Sequence, residues 1–242
     1  MSLQSAVPFV IPGVFLGLAI LERCFPARPQ VRVRGWTATG IMAFVVTGAI
    51  SATLPLLYSD FTKQHRLLDL GALGTIGGAI VGFVVIDGVL YWMHRARHAK
   101  PLWRWHQMHH AAERLDVMGS SYFHPVDVII TNVFPALVGT MLLGVSADAA
   151  ALGSMIAVSL STFTHTNIAT PRWLGYIITR PESHSVHHAR NVHARNYALL
   201  PLWDMAFGTF ENPVRFEPAV GFYDGATSRL GALLIGADVT QL

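Results

Sequence analysis

Five stretches of the chain, roughly 7–21, 36–58, 71–92, 126–145 and 147–163, are almost unbroken in apolar residues, and the segments between them carry nearly all of the charge. A helix crossing a bilayer core needs about 20 mostly apolar residues. Each stretch approaches that length, so the pattern predicts an all-α integral membrane bundle of about four to five transmembrane helices. The first is short and holds Pro8 and Pro12, which predicts an oblique helix or one that enters a single leaflet. The last two are joined so tightly that a re-entrant hairpin is an alternative to two spans. In the third, Gly74, Gly78 and Gly82 recur at four-residue spacing, which lets a neighbouring helix backbone approach closely.

Composition agrees with this pattern. Of 242 residues, 52% are hydrophobic and 13% charged, and the mean hydropathy is +0.43, too apolar for an ordinary soluble domain. The spans use up most of the length, so residues 1–242 read as a single membrane-embedded domain. The pI is near 9.3, yet the basic residues are spread over short loops and form no stripe that would grip nucleic acid. They read instead as topology determinants. Placing the segment after the first span in the cytoplasm puts fifteen of the seventeen Lys and Arg residues inside, together with 94–125 and everything after 164, and leaves the N-terminus outside. The residues before the first apolar run include no Lys or Arg, so that run reads as a retained anchor. A lone cysteine, Cys24, excludes a disulfide framework and any cysteine-based metal site.

The candidate chemistry lies in the twelve histidines. His94 and His98 form one cluster, His106, His109 and His110 a second, and His184, His187 and His188 a third that repeats the H-x-x-H-H spacing of the second. On a helix, residues three and four apart share a face, so each cluster can present its rings together. All three fall just past the ends of spans predicted to be cytoplasmic. Gathering so many imidazoles without a cation would sacrifice their hydration and invite repulsion on protonation. Imidazole suits zinc, copper, iron and nickel alike. A structural zinc takes four ligands and a catalytic zinc three, so this many histidines point to two ions, and oxidation of an apolar chain beside a bilayer points to iron with O₂. A zinc-dependent membrane hydrolase and a transition-metal transporter are the rival readings. Against them stand the lack of H-E-x-x-H and the clustering of histidines at one membrane face rather than along mid-span.

The segments D-G-V-L-Y-W-M-H-R-A-R-H at 87–98, L-W-R-W-H-Q-M-H-H at 102–110, F-H-P at 123–125, H-T-N at 165–167, and S-H-S-V-H-H with R-N-Y and L-W-D-M-A-F-G-T-F within 183–210 resemble the fatty acid hydroxylase and sterol desaturase family over roughly residues 80–211. That resemblance implies a helical metal-binding cap on the cytoplasmic side and a di-iron centre that uses O₂ to hydroxylate or desaturate a lipid such as a fatty acyl chain, sterol or carotenoid. It implies that His94, His98, His106, His109, His110, His184, His187 and His188 are iron ligands, with His165 completing the set and His124 a further candidate. His65 and His193 match no motif position. The resemblance also offers Asn167, Asn196 and Asp204 as orienting residues. Asp87 shares a helix stripe with Tyr91, His94 and His98, and as an ionisable group in a span it is expected to accept the N–H of a ligand histidine. Trp103, Trp105 and Trp203 read as interfacial anchors. Ala198 stands where many members have glycine, a change that matters if that backbone needs a positive φ. No haem-binding segment is attached, so electrons are expected from an external redox protein of the cytochrome b5 or ferredoxin type, docked on the arginine-rich face. The stretch from about Glu217 onward carries no assigned role.

Overall fold

The computed structural model describes residues 2–241, which form an all-helical bundle with no strand among them and one isolated bridge between Ala189 and Val220. Ten α-helices follow one another: α1 (Val7–Cys24), α2 (Trp36–Thr53), α3 (Pro55–Gln64), α4 (Gly74–Arg97), α5 (Trp103–His110), α6 (Pro125–Ala136), α7 (Ala147–Thr164), α8 (Pro181–His187), α9 (Pro201–Ala206) and α10 (Leu230–Leu234). Five segments are long and apolar enough to cross a membrane: Leu3–Cys24, Trp36–Gln64, Gly71–Arg97, Pro125–Leu142 and Ala147–Thr164.

The first segment is a continuous run of helix long and apolar enough to span. Pro8 falls in the first turn of α1, where its missing N–H would have no partner anyway, and Pro12 is carried inside the helix. At 1.5 Å per residue its 22 residues reach about 33 Å. The fourth and fifth are two separate helices, each long and apolar enough to cross on its own. α6 begins at Pro125 beside the histidines and α7 ends beside them at His165, while the turn between them lies at the far end of the bundle. Pro135 loosens α6 into a π turn at Leu137–Leu142. The carbonyls left free are taken up by the loop before α4, with Leu67 donating to Met141 at 2.8 Å, Leu68 to Leu142 at 3.1 Å and Leu70 to Leu143 at 3.0 Å. Non-helical backbone at such depth needs this kind of internal satisfaction.

α4 and α7 are the most intimately packed pair. Gly78 permits it, since a Cβ there would stand 3.0 Å from the Cβ of Ala149, and Gly82 faces Val145. Gly74 does not share this role. Its φ of +64° opens α4 and nothing lies within 4 Å of where its Cβ would be, so glycine is needed there for the backbone turn.

The stretch from Glu217 onward, given no role on sequence grounds, completes the cap. Phe222, Ala226, Leu233 and Val239 bury themselves with Trp36, Met108, Ala111, Ala112 and Tyr122 in one apolar cluster. Gln107 of α5 locks the tail in place, its amide donating to the Ala237 carbonyl at 2.7 Å and accepting from the Val239 N–H at 3.1 Å. α5 is thereby held from above, and three of its eight residues, His106, His109 and His110, are free to aim at the centre.

Candidate metal centre

Nine histidines converge in two adjoining groups. His94, His98, His106, His110 and His187 form one, and His109, His165, His184 and His188 the other; within each group the ligand-capable nitrogens lie within 4.8 Å of one another. The two H-x-x-H-H motifs do not present their rings to a single point. On α5, His106 and His110 are one turn apart and enter the five-histidine group, while His109 enters the four-histidine group. α8 mirrors this, with His184 and His188 in the four-histidine group and His187 in the other. Each motif therefore contributes to both groups, which share a wall where His110 and His188 stack at 4.4 Å between ring centroids.

The Nε2 atoms point inward and several Nδ1 atoms are held from behind. His94 Nδ1 donates to the Tyr197 carbonyl, His187 Nδ1 to the Arg195 carbonyl and His165 Nδ1 to the Ser161 carbonyl, each at 2.7 Å. His106 Nδ1 meets the carboxylate of Asp127 at 2.8 Å. A hydrogen bond at one ring nitrogen fixes the tautomer and leaves the lone pair of the other for a cation. Inside, Nε2 atoms crowd one another, and the bonds at Nδ1 leave those of His106 and His165 as bare lone pairs: His106 and His110 lie at 3.1 Å, His109 and His165 at 3.2 Å, His165 and His184 at 3.1 Å, and His184 and His188 at 3.1 Å. The Nε2 atoms of His94, His98 and His187 are buried without any partner.

Such an array of opposed lone pairs is unfavourable unless a cation sits among them, so the donor set fits metal. Burial keeps the rings neutral and ready to ligate. It drives His98 down to about 2 and His165 to about 4, and lowers His109, His110, His184, His187 and His188 well below the ordinary imidazole range, with neighbouring imidazoles adding to the effect in all of these but His165. For His106 the carboxylate of Asp127 opposes the desolvation.

Other expected residues are placed differently. His124 stands outside both groups with both ring nitrogens engaged: Nδ1 accepts from the Val126 N–H at 3.0 Å and caps α6, and Nε2 donates to the Leu234 carbonyl at 3.0 Å. Asp87 accepts no imidazole proton. Its two oxygens take the N–H groups of Leu199 and Leu200 at 3.0 and 2.9 Å. Asp204 accepts from the N–H groups of Tyr197 and Ala198, and Asn196 binds the Ser183 carbonyl and the Glu211 N–H, so both shape the loop whose carbonyls hold His94 and His187. Asn167 joins α1 to α7 through Glu22 and the Arg28 carbonyl. Ala198 is not among the residues of positive φ, so a side chain is accommodated there; the left-handed positions other than glycines are Asn191, His193, Arg195 and Asn196.

Two contributors escaped the motif reading. Asp127, an acid within an apolar helix, carried the signal that ionisable groups in spans usually do. His193 carried none; the fold brings its Nδ1 to 3.2 Å from His110 Nδ1, beside a surface depression lined by His98, Lys100, Trp103 and Val192. Trp103 covers His98 and His110 at 5.3 and 5.4 Å, and Trp203 lies on Gly88, so neither is a simple interfacial anchor.

The fatty acid hydroxylase family model matches residues 79–209, the stretch that supplies every histidine of both groups. The chain belongs to the fatty acid hydroxylase family. An ornithine lipid hydroxylase of Rhizobium tropici is 29% identical over 56% of this chain and 42% of its own length. A Δ7-sterol-C5(6)-desaturase of Nicotiana tabacum is 29% identical over 66% and 59%, and an alkylglycerol monooxygenase of Danio rerio 28% identical over 54% and 30%. This chain thus spans less than two thirds of the length of each. No solved structure matches. In this fatty acid hydroxylase family member the matched stretch supplies the histidines, and α1 to α3 and the C-terminal tail lie outside it.

Proposed function

We propose that this chain is a multi-pass membrane oxidoreductase that uses O₂ to hydroxylate a lipid at a di-iron centre. The observation that carries the reading is the pair of adjoining histidine groups, five and four strong, at one end of a bundle of apolar spans. His94, His98, His106, His110 and His187 would hold one iron, and His109, His165, His184 and His188 the other. Two such ions supply reductive activation of O₂ for attack on an unactivated C–H bond. The chain's own part is to fix the imidazoles through Asp127, Tyr197, Arg195 and Ser161, to keep them neutral by burial, and to bring an apolar chain to them while excluding water. The family names of the relatives, which cover hydroxylation, desaturation and monooxygenation of lipids, support a lipid substrate. Hydroxylation is preferred over desaturation because it removes one hydrogen rather than two and so demands less geometric control.

Fifteen of the seventeen basic residues fall in the segments at the histidine end, which supports a cytoplasmic centre and an outside N-terminus. The two electrons come from an external redox protein of the cytochrome b5 or ferredoxin type, and residues 1–242 act as one domain. A hydrolase with one open zinc would use three protein ligands, which leaves most of these histidines without purpose.

The test is lipid mass spectrometry of a host expressing the wild type beside His187→Ala, with metal measured on both purified proteins. A lipid gaining one oxygen only with the wild type, together with bound iron, supports the reading. No lipid change and a single zinc per chain would overturn it.

A further inference from the structure

We infer that residues 199–207 form a short re-entrant element immersed in the leaflet nearest the histidine centre, with Asp87 as the internal acceptor that lets its backbone enter the membrane. Depth carries the argument. Trp203 of α9 packs on Gly88, where a Cβ would come within 2.6 Å of its ring, and Leu199 and Leu200 donate to Asp87. These contacts lie about 15 Å before the end of α4 at 1.5 Å per residue, within the apolar part of that span and not beyond it. α9 therefore runs beside α4 at membrane depth, although it is too short to cross.

Its outward face suits lipid. Leu202, Met205 and Phe207 are 52%, 42% and 43% exposed, and Phe207 continues onto Trp92 at 4.7 Å, itself half exposed on the last turns of α4. The neighbouring turn, Arg172–Tyr176, adds Trp173 at 62% and Tyr176 at 57%, with Ile177 next in the chain at 58%. The patch is continuous with the lipid-facing side of α4, and Arg95 lies over Trp92 at 5.1 Å, the pairing of aromatic and cation found where a helix meets headgroups. Irregular backbone in hydrocarbon is tolerated only where its polar groups find partners within the protein. The carboxylate of Asp87 takes two such N–H groups, and that of Asp204 takes two more from Tyr197 and Ala198. Because the same loop offers the Tyr197 carbonyl to His94 and the Arg195 carbonyl to His187, contact with the bilayer bears directly on the geometry of the centre.

The experiment uses the full chain with Cys24→Ser, spin-labelled singly at Leu202→Cys or Ile177→Cys, in nanodiscs of phosphatidylcholine and phosphatidylglycerol. Ile80→Cys on the exposed face of α4 and Val192→Cys on the cap serve as references. Collision with oxygen exceeding collision with a water-soluble nickel chelate at 202 and 177, as at 80, is the expected result. A ratio reversed to that of 192 would place the element in water and overturn the inference. Protection from both quenchers would overturn it in favour of a protein partner on this face. Neither result depends on the protein's enzymatic activity.

Discussion

Asp127 Oδ2 lies 2.8 Å from Nδ1 of His106, and the other oxygen of the same carboxylate lies 3.0 Å from the Arg97 guanidinium, all three side chains being buried. The carboxylate thus sets the tautomer of one candidate ligand while its own charge is balanced by a buried cation. Asp127→Asn keeps the shape but removes the charge and strands Arg97. Metal affinity should fall by roughly 10–100-fold, the usual effect of losing such a partner. Metal retained after graded chelator challenge, measured beside the wild type, checks this; unchanged retention would show that the carboxylate does not hold the ring.

The split of the histidines into two groups predicts selective loss. His184→Ala should empty the four-histidine site and leave the five-histidine site loaded, halving bound metal. His124→Ala should leave metal content unchanged and lower stability by about 1–2 kcal/mol through the lost helix cap and the lost bond to Leu234. Elemental analysis and thermal unfolding of the same preparations separate the two cases.

Acid should unmake the centre. Burial holds His165 at about 4 and His98 at about 2 when folded, against an ordinary value of 6.5, and drives most of the other rings the same way. Between those folded values and 6.5 the unfolded chain binds more protons, so the contribution of the neutral rings is complete above about pH 6.5 and declines as pH falls below it. The metal-free protein should melt at progressively lower temperature from pH 7.5 to 5.5; a melting temperature that rose on acidification would contradict the burial of neutral imidazoles.

Gly88 seats the ring of Trp203. Gly88→Ala should displace that ring, overpack the contact between α4 and α9 at a cost of about 1–3 kcal/mol, and disturb the loop that holds His94. Gly48→Ala, where nothing lies within 4 Å of the added carbon, should be neutral or stabilise by up to about 1 kcal/mol. Comparing unfolding of the two variants in one detergent isolates the packing effect.

The apolar runs alone located all five spans, because a helix in lipid must satisfy its backbone internally and shield it with apolar side chains over a fixed length. The three histidine clusters were equally legible, since spacings of three and four residues bring rings together on a helix whatever lies around them. Three features were not. The division of each H-x-x-H-H motif between two groups depends on how α5 and α8 face each other, which no local spacing encodes. The carboxylate that holds His106 comes from α6 and not from the stripe of Asp87, because Asp87 is turned toward the loop before α9. The role of the C-terminal tail rests on Leu233 and Val239 meeting Met108 and Trp36 across long sequence separations. Local periodicity follows from the bond geometry of one helix and is written in the chain; the aim of a side chain at a shared centre follows from packing between distant helices, and only the tertiary structure decides it.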